Sequence, residues 1–203
     1  LRSSSAASDV YKRQYLKRAD KGVERLIYIV QDLDMITKIE FGESKLETSN
    51  FDVFGLIHNV FEELEMRAKK KKIALSLENS KQKKLIVHAD RERIQQVLTN
   101  LVVNSIKYGH INGTTEISVE PLGDYKIVVR VTDNGEGIEE EHIPRLFERF
   151  YRVDKSGARS EGGSGLGLSI VKHIIDAHHE NIFVDSKYGI GSEFSFTLPT
   201  EIS

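Results

Sequence analysis

Four glycines among ten residues lead directly into an apolar, helix-like segment in the stretch EGGSGLGLSI at positions 161–170. Glycine at this density costs backbone entropy, but it lets main-chain N–H groups approach an anion at the start of the following helix. The stretch lacks the Gly-Lys-Ser/Thr ending of a P-loop, and Gly163, Gly165 and Gly167 do not have the spacing of a dinucleotide-binding fingerprint. It therefore predicts either a phosphate-binding turn of another kind or an ordinary flexible loop.

A polar stripe accompanies the apolar face of the segment DRERIQQVLTNLVVNSIKYGH, which predicts a helix over 91–108 capped by Asp90. At 100° per residue, Asn100, Asn104, Lys107 and Tyr108 fall within an arc of about 100°. Asparagine is unfavourable inside a helix, so two of them at i and i+4 on one stripe call for an explanation. An amide oxygen can ligate Mg²⁺ together with nucleotide phosphates. The alternative is a polar rim on a surface helix.

A carboxylate ends the apolar row of the strand-like segment KIVVRVTDNGEGI, because Asp133 shares a strand face with the preceding odd-numbered residues. A charge in such a position is costly unless it is paired. The amino group of a purine would be a suitable hydrogen-bond donor to it, and Gly135 and Gly137 would let the backbone turn close to a flat base. An ordinary Asp-Asn-Gly turn is the alternative.

Aromatic and basic residues alternate in the segment IPRLFERFYRV that follows. Phe147, Phe150 and Tyr151 could pack as a hinge at the base of a loop. Arg149 and Arg152 could instead reach a phosphate, since a guanidinium matches phosphate geometry. The sequence alone leaves both interpretations open.

The composition of the 203 residues is that of a soluble globular chain, with 39% hydrophobic and 30% charged residues. The net charge of −2 and the scattered basic residues give no indication of a nucleic-acid partner. The absence of cysteine excludes disulfides and thiolate sites. We expect neither a membrane span nor a signal peptide, and we interpret residues 1–14 as a leader or an expression-derived segment outside the fold.

A heptad pattern of apolar residues begins near position 15 and predicts one helix of about 25 residues with an apolar seam. Its members are Leu16, Ala19, Val23, Leu26, Val30 and Leu33. A single helix cannot bury such a seam, so we expect a homodimer that pairs these helices in a bundle. Packing against the chain's own second domain is the alternative.

Helices and strands alternate irregularly in the remainder of the chain. The pattern predicts helices at 52–70 and 165–178, short helical segments within 139–151, and strands at 73–78 and 85–89. Hairpins are predicted from 115–121 with 125–132 and from 181–187 with 191–199. Together these elements indicate an α/β fold, a two-layer sandwich of a mixed β-sheet covered on one face by helices.

Four motifs in this order, NLVVNSIKYG, DNGEGI, LFERFYRV and GGSGLGLSI, resemble the N, G1, F and G2 boxes of sensor histidine kinases. The resemblance implies that residues 42–203 form the catalytic ATP-binding domain of the gyrase, chaperone and histidine-kinase superfamily. Residues 15–41 resemble the second helix of the dimerisation and phosphotransfer domain. The implied activity is transfer of the ATP γ-phosphoryl to a histidine, with ATP and Mg²⁺ bound between the N-box helix and a mobile lid at 152–164.

The same resemblance assigns roles to the polar stripe of the N-box helix. Asn104 corresponds to the Mg²⁺ ligand and Asn100 to its supporting partner. Lys107 would approach the phosphates, and Tyr108 would flank the adenine. Arg152 corresponds to an arginine near the γ-phosphate. The implied catalytic residues are Asn104, Lys107 and Arg152.

On the other side of the implied site, Asp133 corresponds to the G1 aspartate that accepts a hydrogen bond from the adenine amino group, with Gly135 and Gly137 shaping that wall. The G2 segment would surround the phosphates with its backbone. Its implied nucleotide-binding residues are Gly163, Ser164, Gly165, Leu166 and Gly167.

One departure from the family concerns the phosphoacceptor. The H box, a histidine followed by an acidic residue and a few positions later by a proline, does not occur in the 203 residues. The seven histidines are His58, His88, His110, His142, His173, His178 and His179. We therefore expect the acceptor to lie on a first phosphotransfer helix outside this sequence, and we expect the chain not to phosphorylate itself.

The resemblance also implies partners and a location. The full-length protein would pass the phosphoryl group to a response regulator, and its cytoplasmic catalytic domain would belong to a protein anchored in the bacterial inner membrane through an N-terminal region. Two alternatives remain. A gyrase-like or chaperone-like ATPase usually carries a glutamate four residues before the Mg²⁺-binding asparagine, where this chain has Asn100, and a regulatory module would bind nucleotide without catalysis.

Overall fold

The protein is described here by a computed structural model that covers residues 45–78, 84–153 and 164–200, together with separate positions between 15 and 38. Seven strands, three α-helices and one 3₁₀ helix follow in these ranges. They are β1 (Thr48–Asp52), α1 (Val53–Lys71), β2 (Ala74–Leu77), β3 (Ile86–Asp90), α2 (Arg91–Tyr108), β4 (Thr114–Leu122), β5 (Lys126–Asp133), the 3₁₀ helix (Glu140–Arg145), α3 (Gly167–Ala177), β6 (Ile182–Lys187) and β7 (Gly191–Pro199).

Five strands form the main sheet in the order β2-β4-β5-β7-β6. β2 pairs with β4 in parallel, whereas the other neighbours are antiparallel. Both predicted hairpins are present, since β4 pairs with β5 and β6 pairs with β7. The predicted α/β fold, a mixed sheet with helices packed on it, is thereby confirmed.

A separate two-stranded sheet links the starts of the first two helices. This small sheet consists of β1 and β3, and the hydrophobic pattern of the sequence did not predict their pairing. Asp52 at the end of β1 caps α1 by accepting hydrogen bonds from the N–H groups of Phe54 and Gly55. Asp90 at the end of β3 caps α2 through the N–H of Arg93, as the sequence predicted. The small sheet thus fixes where α1 and α2 begin.

The hydrophobic core lies between the helices and one face of the main sheet. α1 and α2 each contribute a long buried stripe, and the odd-numbered residues of β5 face that of α2. The fully buried side chains of α2 are Ile94, Val97, Leu98, Leu101, Val102 and Ile106. Because these residues occupy one side of α2, its polar stripe is left to face away from the core.

Two element boundaries differ from those predicted. α3 begins at Gly167 rather than at 165, because Gly165 has a φ of +75°, outside the helical region. Between 139 and 151, a fully described range, one 3₁₀ helix forms instead of several helical segments. Pro144 lies within it, and Phe150 beyond it has a φ of +64°, so an α-helix cannot continue there.

The described positions between 15 and 38 are helical, in agreement with the heptad pattern. Four seam residues, Leu16, Val23, Leu26 and Val30, expose more than half of their surface. Leu33, also on the seam, is half-buried against the domain core. The leader predicted at 1–14 lies outside the described residues, and the division at 41 stays a prediction. Among the described helices, none combines the length and the apolar character needed to cross a membrane.

His178 joins the end of α3 to the start of α2. Its Nδ1 donates to the carbonyl of Ile174 over 2.8 Å, and its Nε2 accepts the N–H of Asp90 over 3.0 Å. This arrangement requires a neutral imidazole, because only the neutral ring has an acceptor nitrogen. Burial lowers the pKa of His178, and the neighbouring His179 lowers it further, while the Ile174 carbonyl and the charges of Asp90 and Glu180 oppose this shift.

Replacement of His178 should remove a pH dependence of stability. Since the pKa of the folded state lies below the ordinary value of 6.5, the unfolded chain binds the proton first as the pH falls. The stabilisation is therefore complete above about pH 6.5 and declines as the pH drops toward the lowered pKa. Urea unfolding at about pH 7.5 and about pH 5.5 should show a smaller loss for His178→Gln than for the unsubstituted chain. His58→Gln, at an exposed position of α1, serves as the control; equal losses in all three proteins would contradict the assignment.

Candidate functional site

A cleft of about 320 Å³ opens beside the polar stripe of α2. The end of β5, the segment after the 3₁₀ helix and the start of α3 form its other walls. All four sequence motifs contribute to it. The predicted site residues that line it are Asn100, Asn104, Lys107, Tyr108, Asp133, Gly137, Arg152, Ser164, Gly165 and Gly167.

The stripe on α2 lies along the length of this cleft. Lys107 donates to the hydroxyl of Tyr108 over 3.0 Å, and its ammonium lies 4.6 Å from the centre of that ring. Asn100 faces the start of α3, where a Cβ added to Gly167 would lie 3.5 Å from its Oδ1. Asn104 is half-buried, and its side chain makes no hydrogen bond to the described residues, so its amide is available to a ligand.

Asp133 places a half-buried carboxylate at the opposite wall. Its Oδ1 accepts the N–H of Gly135 over 2.9 Å. Burial raises the pKa of Asp133, while the backbone N–H groups of Gly135 and Ser192 and the nearby His110 partly offset the rise. These N–H groups do not exhaust the acceptor capacity of a carboxylate. The group can therefore accept a further hydrogen bond from a donor in the cleft.

Glycines allow the backbone to close tightly around this carboxylate. Gly135 does not line the cleft itself, but a Cβ there would lie 2.6 Å from the carbonyl oxygen of Tyr108. Gly137 has a φ of +67°, and a Cβ there would overlap the carbonyl of Lys187. Since both positions exclude a side chain, the wall around Asp133 is made of main chain.

The G2 segment forms the other end of the cleft. Phe150 donates its N–H to the carbonyl of Gly165 over 2.9 Å, and a Cβ at Gly165 would lie 2.8 Å from the Cα of Phe150. Ser164 accepts the N–H of Leu166 through its hydroxyl. The side chain of Leu166 is buried in the core, so only its backbone can take part in binding. Gly163 lies outside the described residues.

α3 begins at this end without a side-chain hydrogen bond to its N terminus. The residues at its start, Gly167 and Leu168, line the cleft. The uncapped N–H groups and the helix dipole at such a terminus favour an anion. The glycine-rich stretch is therefore placed where it can bind a phosphate.

The segment LFERFYRV contains both an aromatic side chain that packs on neighbouring residues and an arginine that lies in the cleft. Tyr151 and Arg152 line the cleft, whereas Arg149 points to α3 and lies 3.4 Å from Nε2 of His173. Tyr151 bonds to Nδ1 of His142, and the guanidinium of Arg145 lies 4.4 Å from its ring centre. The segment thus anchors an aromatic ring and brings one arginine, Arg152, into the cleft.

Several cleft residues were not recognised in the sequence. Arg67 lies on α1, one turn before Lys71, whose ammonium donates to the carbonyl of Lys107 over 2.6 Å. Ser192 and Phe194 belong to β7. No local motif marks these positions, because they reach the cleft only through helix packing and strand pairing. The alternation of β7 predicts that Phe194 packs in the core, but not which end of the strand adjoins the cleft.

Asp133→Asn should stabilise the chain near neutral pH. Because the folded pKa is raised, the contribution of Asp133 to stability is present below the ordinary value of 3.8 and is lost as the pH rises through the folded pKa. The amide removes a partly buried charge, and its oxygen can still accept the N–H of Gly135. We expect the melting temperature at neutral pH to rise by about 1–3 °C and the gain to vanish near pH 4.

Asp124→Asn is the matched control, since Asp124 is exposed and asparagine suits its turn equally well. Differential scanning calorimetry of both variants across this pH range measures the effect. Destabilisation of Asp133→Asn at neutral pH would show that the ionised carboxylate stabilises the fold.

The comparisons with known proteins agree with this geometry. The family model described as "Histidine kinase-, DNA gyrase B-, and HSP90-like ATPase" matches residues 89–202. The sensor protein kinase WalK of Staphylococcus aureus is 32% identical over 190 residues, which cover 93% of this chain and 45% of that relative. The chain thus spans less than half the length of the curated relatives it matches.

Solved structures show the same relationship. The catalytic domain of the histidine kinase ThkA is 32% identical with a TM-score of 0.65, over 76% of this chain and 97% of that one. ThkA has also been solved in complex with the response regulator protein TrrA, with 32% identity, a TM-score of 0.65, and coverage of 86% and 49%. The chain therefore belongs to the histidine kinase-, DNA gyrase B- and HSP90-like ATPase family, and it carries a nucleotide-binding catalytic domain of the histidine-kinase type.

Proposed function

We propose that this chain is the ATP-binding catalytic part of a two-component sensor histidine kinase. It transfers the γ-phosphoryl of ATP to a histidine nitrogen on a phosphotransfer helix outside these 203 residues, and that histidine supplies a response regulator. One observation supports the proposal above all: the polar stripe of α2 faces Asp133 and the start of α3 across the same cleft. The complex of ThkA with TrrA supports the regulator as a partner.

Asp133 recognises the base in this proposal. Its carboxylate keeps acceptor capacity after accepting the N–H of Gly135, so it can accept a hydrogen bond from the amino group of adenine. Tyr108, 41% exposed, offers a ring beside the base. Gly137 lines the same part of the cleft with its backbone. A guanine base has an oxygen where adenine has its amino group, and this oxygen would face the carboxylate unfavourably.

The phosphates lie at the other end, where Gly165, Gly167 and Ser164 line the cleft, and we assign the adjoining Gly163 to the same role. Lys107 and Arg152 supply positive charge. Lys107 must leave the hydroxyl of Tyr108 to reach a phosphate, which exchanges a neutral acceptor for an anionic one. Phosphoryl transfer depends mainly on such positioning and charge neutralisation.

The residues present fit Mg²⁺. Mg²⁺ prefers oxygen donors and retains several waters beside substrate phosphates. Asn104 offers an amide oxygen that no described residue occupies, and Asn100 lies one helical turn before it. Asn104 would hold the ion and Asn100 would support it. When bound, Mg²⁺ neutralises part of the phosphate charge, while the cleft residues orient the nucleotide.

Asn100 separates this proposal from the hydrolytic alternative. A gyrase-like or chaperone-like ATPase needs a base at this position to activate water, and an amide does not accept a proton at neutral pH. In the structure, Asn100 lies in the cleft wall beside Gly167. The kinase function is therefore favoured over ATP hydrolysis.

We also propose the arrangement of the whole protein. The exposed seam residues Leu16, Val23, Leu26 and Val30 are suited to pair with the same helix of a second copy as a homodimer. The catalytic domain would act in the cytoplasm, with the protein anchored in the bacterial inner membrane through its N-terminal region.

The function can be tested by supplying the acceptor as a second protein. With γ-labelled ATP and Mg²⁺, an added phosphotransfer domain that carries an H box should gain an acid-labile, base-stable label. This chain itself should stay unlabelled, because its 203 residues contain no H box. An acid-labile label on this chain, or sustained release of phosphate without an acceptor, would contradict the proposal. Binding of Mg-ATP with no transfer to any acceptor would favour the regulatory module.

Substitution of Asn104 tests the metal assignment. Without metal, Asn104→Asp should weaken ATP binding by about tenfold, since a new carboxylate repels the phosphates. Added Mg²⁺ should restore more affinity to this variant than it adds to the unsubstituted chain, because a carboxylate binds the ion more strongly than an amide. Isothermal titration calorimetry with and without Mg²⁺ measures both. Asn112→Asp, outside the cleft, is the control; identical metal dependence of both variants counts against Asn104.

A further inference from the structure

The hydroxyl of Ser186 lies where the β6–β7 hairpin meets the loop that follows β5. Its Oγ donates to the carbonyl of Gly191 over 2.9 Å and accepts the N–H of Ile138 over 2.9 Å. The hydroxyl of Ser192 lies 2.8 Å away. A serine hydroxyl has one hydrogen to donate and two lone pairs. Since Ser186 donates to Gly191, the Ser192 hydroxyl must donate to Ser186, and every hydrogen-bonding position of Ser186 is then filled.

Each partner of this hydroxyl belongs to the wall around Asp133. Ile138 lines the cleft next to Gly137. Ser192 lies directly opposite Asp133 in the pairing of β5 with β7. Gly191 packs so closely that a Cβ on it would overlap the carbonyl of Asp133. The hydroxyl thus joins the loop after β5 to the hairpin strand that pairs with Asp133.

The loop and the hairpin are held together at few other points among the described residues. Gly189 donates its N–H to the carbonyl of Glu136 over 2.7 Å, and Gly137 packs on the backbone of Lys187. Both of these contacts use main chain only. Ser186 is a side-chain link that can be removed without changing any residue that lines the cleft, because Ser186 does not line it.

We propose that Ser186 is a positioning residue for base recognition, whose hydroxyl holds Ile138 and Ser192 so that the carboxylate of Asp133 meets the amino group of an adenine nucleotide. The proposal rests on the function proposed above. It predicts an effect on selectivity between bases rather than on phosphate binding, since the phosphate end of the cleft has no contact with Ser186 among the described residues.

The test compares ADP with inosine diphosphate, which has an oxygen in place of the adenine amino group. Calorimetry should show that the unsubstituted chain prefers ADP. In Ser186→Ala, we expect ADP affinity to fall by about fivefold to tenfold and the affinity for inosine diphosphate to change much less, so that the preference shrinks. Ser186→Thr retains the hydroxyl and should restore the preference.

Ser195→Ala is the matched control, because Ser195 is a buried serine on β7 outside the cleft. An equal loss for both nucleotides in Ser186→Ala, or an unchanged preference, would overturn the proposal. If Ser186→Ala does not fold, Ser186→Cys has nearly the same volume and a much weaker hydrogen-bonding group, and the same comparison applies to it. Absence of an ADP preference in the unsubstituted chain would instead overturn base recognition by Asp133, so the two failures are distinguishable.

Discussion

The structure depends on the position of one carboxylate, that of Asp133 at the end of the apolar row of β5, where the loss of hydration costs free energy. A partly buried charge must replace the hydration that it loses, and burial accordingly raises its pKa. Part of the replacement comes from the N–H of Gly135, which bonds to the carboxylate, and part from the nearby backbone N–H of Ser192 on another segment. Both segments must therefore come close to one side chain. This requirement accounts for the concentration of glycine around the cleft, since Gly135, Gly137 and Gly191 each stand where a Cβ would collide with neighbouring backbone.

The fold meets this requirement by joining distant parts of the chain. β7 lies beside β5 in the sheet, with Ser192 directly opposite Asp133, although the two residues are far apart in sequence. The hairpin turn at Gly189 then supports the loop at Glu136. α2 completes the site from the other side, and the small β1–β3 sheet sets its start through the Asp90 cap. The stability of the base wall thus arises from strand pairing, whereas the position of the polar stripe arises from helix capping and core packing.

Local patterns predicted what local physics determines. The extent of α2, its cap at Asp90 and the polar stripe followed from helical periodicity and capping preference, and the mixed sheet followed from the hairpins. The same local patterns do not predict how segments that are distant in the sequence lie relative to one another. Arg67 enters the cleft because α1 packs beside α2, and β1 pairs with β3 although α1 and β2 separate them in the sequence. The start of α3 was misplaced because a glycine pattern permits a left-handed residue at Gly165 without requiring it. The roles that we propose for the cleft residues rest on the resemblance, because no spacing rule supplies them.

The two ends of the cleft are built by different means, and this difference bears on how the domain can work. The end around Asp133 is tied into the sheet by side-chain and main-chain hydrogen bonds of Asp133 and Ser186. The other end rests on the start of α3 and on the contact between Phe150 and Gly165, where a bulky residue adopts a positive φ of 64°. Such a conformation persists only while its surroundings hold it, at a cost of order 1–3 kcal/mol. In the proposed function the base occupies the end that the sheet holds, and the phosphates occupy the end with the strained residue. Because α2 lines both ends, a change in its position would affect both.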